Sequence, residues 1–374
     1  CAGVSFQVPP MLRFDQQVRL PTLSDADYVH DIAYDHYGTR LALCTSSLRI
    51  SIFAAPSGGA GGDGSEDAGS SQWTEIARMD KAHTGPIWRL SWGYPEHGDP
   101  LASCSEDRTV TVWYGGQGGG LAPPKAAQGT LPRWQERAPG LSCEGPVVDV
   151  RFAPAALGLK LATCTADGKA RIFECVNALD LRTWEPEDLE ILSKLPSSGS
   201  SAACSSAALD WMKVPYGAGA EELSEVLALA GRGGRLAIWA KEKSGRWREQ
   251  DSAEAHPGTS GIKDVAWCPN LCRPYEVVAT CGAGAALWRV DFSSEAERTG
   301  GGYGRKDTSG TSCTLSRLKE LIPSSDEVCP VWRCSWNLTG TTLALCPEGA
   351  EVSVWKADAS LDWKPECEID VGGS

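Results

Sequence analysis

A single pattern recurs six times along the 374 residues of this chain. Each copy has an alternating run that closes on an aromatic residue, then a run of small and apolar residues, then a second alternating run closed by another aromatic. The first closing aromatics are Tyr34, Trp92, Phe152, Trp211, Trp267 and Trp336. The second are Phe53, Trp113, Phe173, Trp239, Trp288 and Trp355. The repeat constrains the fold more than any other feature, because every copy must form the same structural unit.

Alternation with a period of two residues is typical of β-strands. Each unit contains three such runs, and in most units a fourth follows, often opening with tryptophan, as at positions 73, 134, 247 and 363. Four short antiparallel strands repeated six times predict an all-β fold, a six-bladed β-propeller. One blade alone cannot bury both faces of its sheet, so the blades must stack around a ring.

The repeat also predicts the domain organisation. Residues 1–24 form an N-terminal extension, and residues 25–374 form one propeller. The predicted blades are approximately residues 25–81, 82–140, 141–195, 203–255, 256–322 and 327–371. Low-complexity segments rich in glycine and serine occupy residues 56–72, 115–130 and 293–312. We expect these to be surface loops, because such compositions cannot support packing.

Composition excludes several classes of function. The net charge is −13, from 35 basic and 48 acidic residues without a basic block, which disfavours direct binding of nucleic acid. No run of eighteen apolar residues occurs, so membrane insertion is not expected. Fifteen cysteines are scattered singly, which argues against a secreted disulfide framework. Those in the second strands are expected to be small buried apolar groups: Cys44, Cys104, Cys164, Cys281 and Cys346.

The sequence contains no constellation that suggests catalysis. There is no GxSxG elbow and no GxxxxGK[ST] phosphate loop, and the cysteines lack the spacing of a zinc site. None of the five histidines has an identifiable nucleophile and orienting group beside it. We therefore predict a protein that is not an enzyme, with no catalytic residues, no metal, no cofactor and no small-molecule substrate.

The repeats resemble the WD-repeat family. In that family a histidine, a serine or threonine, an aspartate and a tryptophan form a hydrogen-bonded tetrad within a blade. The counterparts in the second unit are His83, Ser103, Asp107 and Trp113. Only the second and third units keep an aspartate six residues before the closing aromatic, so the spacing of the repeats carries the resemblance more than the signature does.

A narrower resemblance is to the WD-repeat scaffold nucleoporins of the Y-shaped, outer-ring subcomplex of the nuclear pore, which are homologues of a COPII coat propeller. It covers five of the six units. Two of the matching stretches are GPIWRLSWGYPEHGDPLASCSEDRTVTVW, at residues 85–113, and VWRCSWNLTGTTLALCPEGAEVSVW, at residues 331–355.

This resemblance implies a non-enzymatic structural scaffold at the nuclear envelope, within the nuclear pore complex, that supports nucleocytoplasmic transport of protein and mRNA. The implied partners are other Y-complex nucleoporins and an α-solenoid nucleoporin that inserts a β-blade into an open propeller. The last unit draws all four strands from the C-terminal side, which leaves an edge of the first unit for this partner. The candidate edge residues are Val29, Ile32 and Tyr34.

Several alternatives stay open at this stage. The same family propeller also serves in a nutrient-sensing, coat-like complex, which would place the chain in the cytoplasm or at the lysosomal or vacuolar surface. A COPII-type vesicle coat subunit is a second scaffold reading. A WD-repeat adaptor that binds peptides on the top face of the propeller belongs to a different class.

Overall fold

The computed structural model describes residues 27–55, 73–115, 134–189, 207–213, 224–256, 261–271, 273–294, 311–321, 329–349, 351–358 and 362–369. Within these ranges twenty-four strands form six antiparallel sheets of four strands each. The predicted extension 1–24 and loop 56–72 lie outside the described residues. Most of the predicted loops 115–130 and 293–312 also lies outside the described residues, although one strand continues to Ser294 and the next begins at Thr311.

Each sheet is built from four consecutive strands and is one blade. Blade 1 contains β1 (Val29–Tyr34), β2 (Arg40–Thr45), β3 (Ile50–Ala54) and β4 (Thr74–Met79). Blade 2 contains β5 (Ile87–Trp92), β6 (Leu101–Ser105), β7 (Thr109–Tyr114) and β8 (Gln135–Ser142). Blade 3 contains β9 (Val147–Phe152), β10 (Lys160–Thr165), β11 (Ala170–Cys175) and β12 (Trp184–Leu189).

The second half of the ring repeats this plan. Blade 4 contains β13 (Ala208–Trp211), β14 (Val226–Ala230), β15 (Arg235–Lys241) and β16 (Trp247–Glu254). Blade 5 contains β17 (Asp264–Trp267), β18 (Glu276–Cys281), β19 (Ala285–Ser294) and β20 (Thr311–Leu321). Blade 6 contains β21 (Val331–Trp336), β22 (Thr342–Pro347), β23 (Val352–Ala357) and β24 (Trp363–Ile369). The predicted all-β, six-bladed β-propeller is confirmed.

Helical structure is minor in this part of the chain. Single-turn 3₁₀ helices occupy Pro95–His97, Ala155–Leu157 and Arg232–Gly234. No helix among the described residues has the length and apolar character needed to cross a membrane.

The hydrophobic core lies between the sheets. Five clusters of buried side chains each combine two neighbouring blades. Between blades 1 and 2, for example, Ala42 and Ile52 pack with Leu90, Trp92 and Trp113. Each blade thus depends on its neighbours to remove its apolar faces from water, which is the main stabilising term of such a fold.

Tryptophans at the fourth strands pack on the aromatics that close the first strands. The rings of Trp92 and Trp134 lie 5.6 Å apart, and those of Trp336 and Trp363 lie 5.2 Å apart, both pairs edge to face. Such pairs add about 0.5–1.5 kcal/mol to the burial of their surface. This contact explains why the fourth runs so often open with tryptophan.

The first strands of successive blades lie side by side around the axis and are joined by hydrogen bonds from blade to blade. After the odd-numbered blades, an aspartate three residues before the closing aromatic accepts a backbone N–H of the following blade. These bonds join Asp31 to Leu90 (2.8 Å), Asp149 to Leu209 (3.1 Å) and Asp264 to Cys334 (3.1 Å).

After blades 2 and 4, the accepting side chain comes from the residue immediately before the aromatic. Ser91 Oγ accepts the N–H of Phe152 at 3.0 Å, and Asp210 Oδ2 accepts the N–H of Trp267 at 2.8 Å. The donor is then the closing aromatic itself. The acceptor position therefore alternates along the ring, and every junction from blade 1 to blade 6 has one such bond.

A buried ion pair connects opposite sides of the ring. The guanidinium of Arg89 in blade 2 donates to Asp264 of blade 5 at 2.9 Å, and both side chains are buried. A buried charge must be compensated by a partner, since its removal from water is costly. Arg89 and Asp264 therefore depend on each other for their place at the axis.

We expect Asp264→Ala to lower the free energy of unfolding by about 3–5 kcal/mol, because it leaves the buried Arg89 without its nearest carboxylate. The measurement is urea denaturation of the isolated chain. Asp362→Ala is the matched control: Asp362 is exposed and pairs with Lys319 on the surface, where such pairs contribute about 0–1 kcal/mol. Equal losses in the two variants would contradict the role given to Asp264.

Candidate functional site

The structure brings the four predicted tetrad residues together inside blade 2. His83 Nε2 lies 2.7 Å from Ser103 Oγ, and Trp113 Nε1 donates to the same hydroxyl at 2.9 Å. His83 Nδ1 lies 3.2 Å from Asp107 Oδ2. A carboxylate can only accept, so Nδ1–H donates to Asp107 and Nε2 accepts the hydroxyl proton of Ser103. The group is a closed network within one blade.

The charges of this network favour a neutral histidine beside an ionised aspartate. Burial raises the pKa of Asp107, but hydrogen bonds from Thr109 and Thr84 and the nearby His83 outweigh it and hold the pKa at about 2. Burial lowers the pKa of His83 below its ordinary value, and Asp107 opposes this shift only in part. The arrangement anchors the turn after β6 rather than preparing a base for catalysis.

Blade 5 contains a related group that sequence reasoning missed. His256 Nε2 lies 3.0 Å from Thr280 Oγ1, to which Trp288 Nε1 donates, also at 3.0 Å. Thr280 lies eight residues before Trp288, whereas Ser103 lies ten before Trp113, so the connection is two residues shorter and the spacing of blade 2 does not apply. The sequence signal was a threonine eight residues before the closing tryptophan.

The second feature is the junction between blade 6 and blade 1, which we call the seam. On blade 1 its residues are Val29, Ile32 and Tyr34, and on blade 6 they are Cys346, Val352, Val354 and Cys367. Ile32 is 52% exposed, whereas its counterparts two residues before the closing aromatic are at most 7% exposed: Leu90, Val150, Leu209, Val265 and Cys334. Tyr34 is 59% exposed, whereas Trp92, Phe152, Trp211 and Trp267 are buried.

The facing side of blade 6 is uncovered as well. Cys346 and Cys367 are exposed, and Val352 and Val354 are half-buried. Their counterparts on blade 1 pack against blade 2 and are all buried: Cys44, Ala77, Ile50 and Ile52. The expectation that Cys346 is buried is therefore wrong. Its strand has the predicted pattern, but the face that carries it has no neighbouring sheet packed on it.

The clusters of buried side chains also differ at the seam. Among the described residues, the sixth cluster comprises Leu41, Leu43 and Phe53 with Trp73 beside them, and all of these belong to blade 1. The other five clusters each join two blades. Within the described ranges, no cluster of buried side chains joins blade 6 to blade 1 as the other five join their neighbours.

Polar contacts do cross the seam close to the axis. Arg333 Nη2 of blade 6 donates to the backbone carbonyl of His30 at 3.3 Å and lies 3.6 Å from Asp31 Oδ1. Val29, Ile32 and Tyr34 were predicted to form a strand edge. β1 is a terminal strand of its four-stranded sheet, and the side chains of these three residues are exposed on it.

The described residues hold no group of three or more His, Cys, Asp or Glu side chains arranged to bind a metal ion. The buried cysteines of the second strands have pKa values raised by desolvation, as at Cys104 and Cys164, which keeps these thiols protonated. Their chemistry is that of small apolar groups. The seam is therefore the surface that distinguishes this propeller.

We expect Trp113→Ala to destabilise the chain by about 3–5 kcal/mol, the usual cost of truncating a buried aromatic. Asp107→Ala should also destabilise it, because His83 loses the acceptor that holds its ring. Thermal unfolding followed by circular dichroism measures both. Leu338→Ala is the control, since Leu338 is 90% exposed. Unchanged stability of either tetrad variant would show that the network does not support the blade.

Stability should also fall with acidification below about pH 6.5. Burial lowers the pKa of both His83 and His256 from 6.5, so the unfolded chain binds protons in this range while the folded chain does not. Protons then favour unfolding. Urea denaturation at pH 7.5 and 5.5 measures the difference. The variant His256→Gln should show a smaller difference, and an identical pH dependence would contradict a neutral buried His256.

Comparison with known proteins identifies the repeat and the relatives. Residues 74–114, from β4 through β7, match the WD domain, G-beta repeat family. Nucleoporin SEH1 of Homo sapiens is 31% identical over 90% of this chain and 84% of its own length. Nucleoporin SEH1-A of Xenopus laevis is 30% identical over the same shares.

Solved structures resemble the fold alone. The Cps50 (Swd1) β-propeller domain of Myceliophteria thermophila superposes with a TM-score of 0.54 at 12% identity, over 92% of this chain and 89% of that one. A chain of the mitotic checkpoint complex superposes with a TM-score of 0.53 at 14% identity, over 89% of this chain and 76% of that one. Taken with the six blades and the identity along nearly the whole length, these findings show that the chain belongs to the nucleoporin SEH1 family of WD-repeat β-propellers.

Proposed function

We propose that this chain is a non-enzymatic scaffold subunit of the Y-shaped subcomplex of the nuclear pore, and that it binds an α-solenoid nucleoporin by accepting a β-blade at the seam. The observation that carries the proposal is the pair of facing sheet surfaces at the seam. Each is exposed where every equivalent surface in the ring is buried against a neighbour. Two such surfaces on either side of one junction fit a sheet that packs on both.

The width of the uncovered surface favours a blade over a single peptide strand. On blade 6 the exposed positions run from Cys346 on β22 to Cys367 on β24. Strands in a sheet lie about 4.8 Å apart, so these positions span about 10 Å across the blade. A lone strand at the axis would leave the outer part in water. An occupant as wide as a blade would bury all of it.

The apolar character of the seam supports a stable rather than a transient partner. Val29, Ile32 and Tyr34 face one side of it, and Val352 and Val354 face the other. Burying such surface contributes about 25 cal/mol per Å². The partner supplies the sheet-on-sheet packing that the chain supplies itself at the other five junctions.

As a scaffold subunit the chain would act at the nuclear envelope, alongside other Y-complex nucleoporins, and support nucleocytoplasmic transport of protein and mRNA. The names of its relatives as nucleoporins favour this assignment over a COPII-type coat subunit. A nutrient-sensing, coat-like complex at the lysosomal or vacuolar surface would use the same seam. The partner recovered from cells distinguishes these assemblies.

The exposed thiols of the seam provide the test. The chain is co-expressed with an α-solenoid nucleoporin of the Y subcomplex, and the complex is treated with a maleimide and analysed by mass spectrometry. We expect a stoichiometric complex in which Cys346 and Cys367 react more slowly than in the isolated chain. The variant with both cysteines changed to alanine identifies their signals. A complex with both thiols still reactive, or recovery of COPII subunits alone, would contradict the proposal.

A substitution at the seam should separate binding from folding. We expect Ile32→Glu to weaken binding of the solenoid nucleoporin at least about tenfold, because a charge is then buried against the partner blade. Stability of the isolated chain should change by less than about 0.5 kcal/mol, since Ile32 is exposed in it. Leu179→Glu is the matched control, as Leu179 is 97% exposed and lies away from the seam. Equal affinity of both variants would place the partner elsewhere.

A further inference from the structure

The hydrogen bonds between blades specify what the seam lacks. At the odd-numbered junctions, an aspartate three residues before one closing aromatic accepts the N–H two residues before the next, as Asp149 accepts that of Leu209. On blade 1 the corresponding N–H, that of Ile32, is bonded to the carboxylate of Asp31 beside it, as the N–H of Val150 is to Asp149. Blade 6 carries Arg333 three residues before its closing aromatic, Trp336. A guanidinium only donates, so blade 6 presents a cation at this position, as blade 2 does with Arg89.

The chain itself shows how an arginine at this position is used. Arg89 stands three residues before Trp92, as Arg333 stands before Trp336. Arg89 Nε lies 3.8 Å from Asp149 Oδ1 of the following blade, and its Nη2 donates to Asp264 at 2.9 Å. One guanidinium thus serves two carboxylates. Asp149 in turn lies between Arg89 of the preceding blade and the Leu209 N–H of the following one.

Arg333 lies near one carboxylate, that of Asp31, where Arg89 lies near two. It lies 3.6 Å from Asp31, and its side chain is 37% exposed, against 8% for Arg89. Besides its contact with the carbonyl of His30, the guanidinium is therefore partly open to solvent at the seam. A second acidic group there would be attracted by Arg333 as Asp149 is by Arg89.

Blade 6 also carries a matching acceptor. Ser335 immediately precedes Trp336, as Ser91 precedes Trp92, and Ser91 Oγ accepts the N–H of Phe152 in the next blade. Ser335 is exposed. In the alternating scheme of the ring, its hydroxyl is placed to accept the N–H of an aromatic residue that closes the first strand of a following blade.

We propose that the seam selects an incoming inner strand with an aspartate or glutamate three residues before an aromatic. Its carboxylate pairs with the guanidinium of Arg333, as that of Asp149 does with Arg89, and the N–H of its aromatic donates to Ser335. The model for this strand is the chain's own sequence DVRF at Asp149–Phe152. This inference rests on the proposed function, and names the chemistry by which the partner blade is recognised.

The test uses the co-purified complex with the solenoid nucleoporin. Hydrogen–deuterium exchange of this complex locates the partner segment that becomes protected together with β1. We expect that segment to contain an acidic residue three positions before an aromatic. Arg333→Glu should then weaken binding at least tenfold, and changing the partner's acidic residue to arginine should restore affinity to within about threefold. Arg248→Glu is the control, since Arg248 is 74% exposed on blade 4.

The outcomes separate the two proposals. If Cys346 and Cys367 stay reactive in the wild-type complex, blade insertion itself is wrong. If both are protected, yet the inserted strand has no acidic residue at that position, or Arg333→Glu binds within twofold of wild type, the inference is overturned while blade insertion stands. The neutral variant Arg333→Met tests whether misfolding causes the effect. Its thermal stability should be unchanged, yet it should bind the wild-type partner more weakly than the wild-type chain does. Against a partner whose acidic residue is changed to alanine, Arg333→Met and the wild-type chain should bind equally.

Discussion

The packing of one sheet face on another is the interaction on which this structure depends. A blade of four short strands has two apolar faces and no helix to cover either, so it gains stability only from the blades beside it. Five clusters of buried side chains meet this need, each shared by two blades. Most of the chain's tryptophans serve this packing, either as closing aromatics or as the rings that pack against them. The stability of the propeller therefore depends on the packing at every junction between blades.

The charged side chains at the axis specify how neighbouring blades align, which apolar packing alone does not. Buried carboxylates are costly unless they are bonded, and here each one accepts a backbone N–H from the next blade, so satisfying the charge also aligns the neighbour. The acceptors are Asp31, Asp149 and Asp264 on odd blades and Ser91 and Asp210 on even blades, so their position in the first strand alternates from blade to blade. Arg89 of blade 2 and Arg151 of blade 3 compensate the charge of Asp264 from the other side of the ring.

The proposed interaction surface lies at the junction where this repeated packing differs. No metal-binding cluster distinguishes one blade from another among the described residues, but the seam differs from the other five junctions in burial and in cluster membership. Arg333 takes the position at which blades 1, 3 and 5 carry an aspartate. In a repeat protein, a blade face without a packed neighbour already has the shape that packs on a sheet. Such a face can therefore serve as a binding site for a partner's sheet.

The sequence by itself determined the number of blades, their strands and the residues of the blade 2 network, because these follow from short-range alternation and from side chains close together in the chain. His83, Ser103, Asp107 and Trp113 could be named on spacing alone. The group of His256, Thr280 and Trp288 was missed because a shorter turn changed that spacing. Only the tertiary structure decided that Ile32 and Cys346 are exposed while their counterparts are buried. Burial depends on which sheet lies opposite, and in a ring the first and last blades meet from opposite ends of the chain.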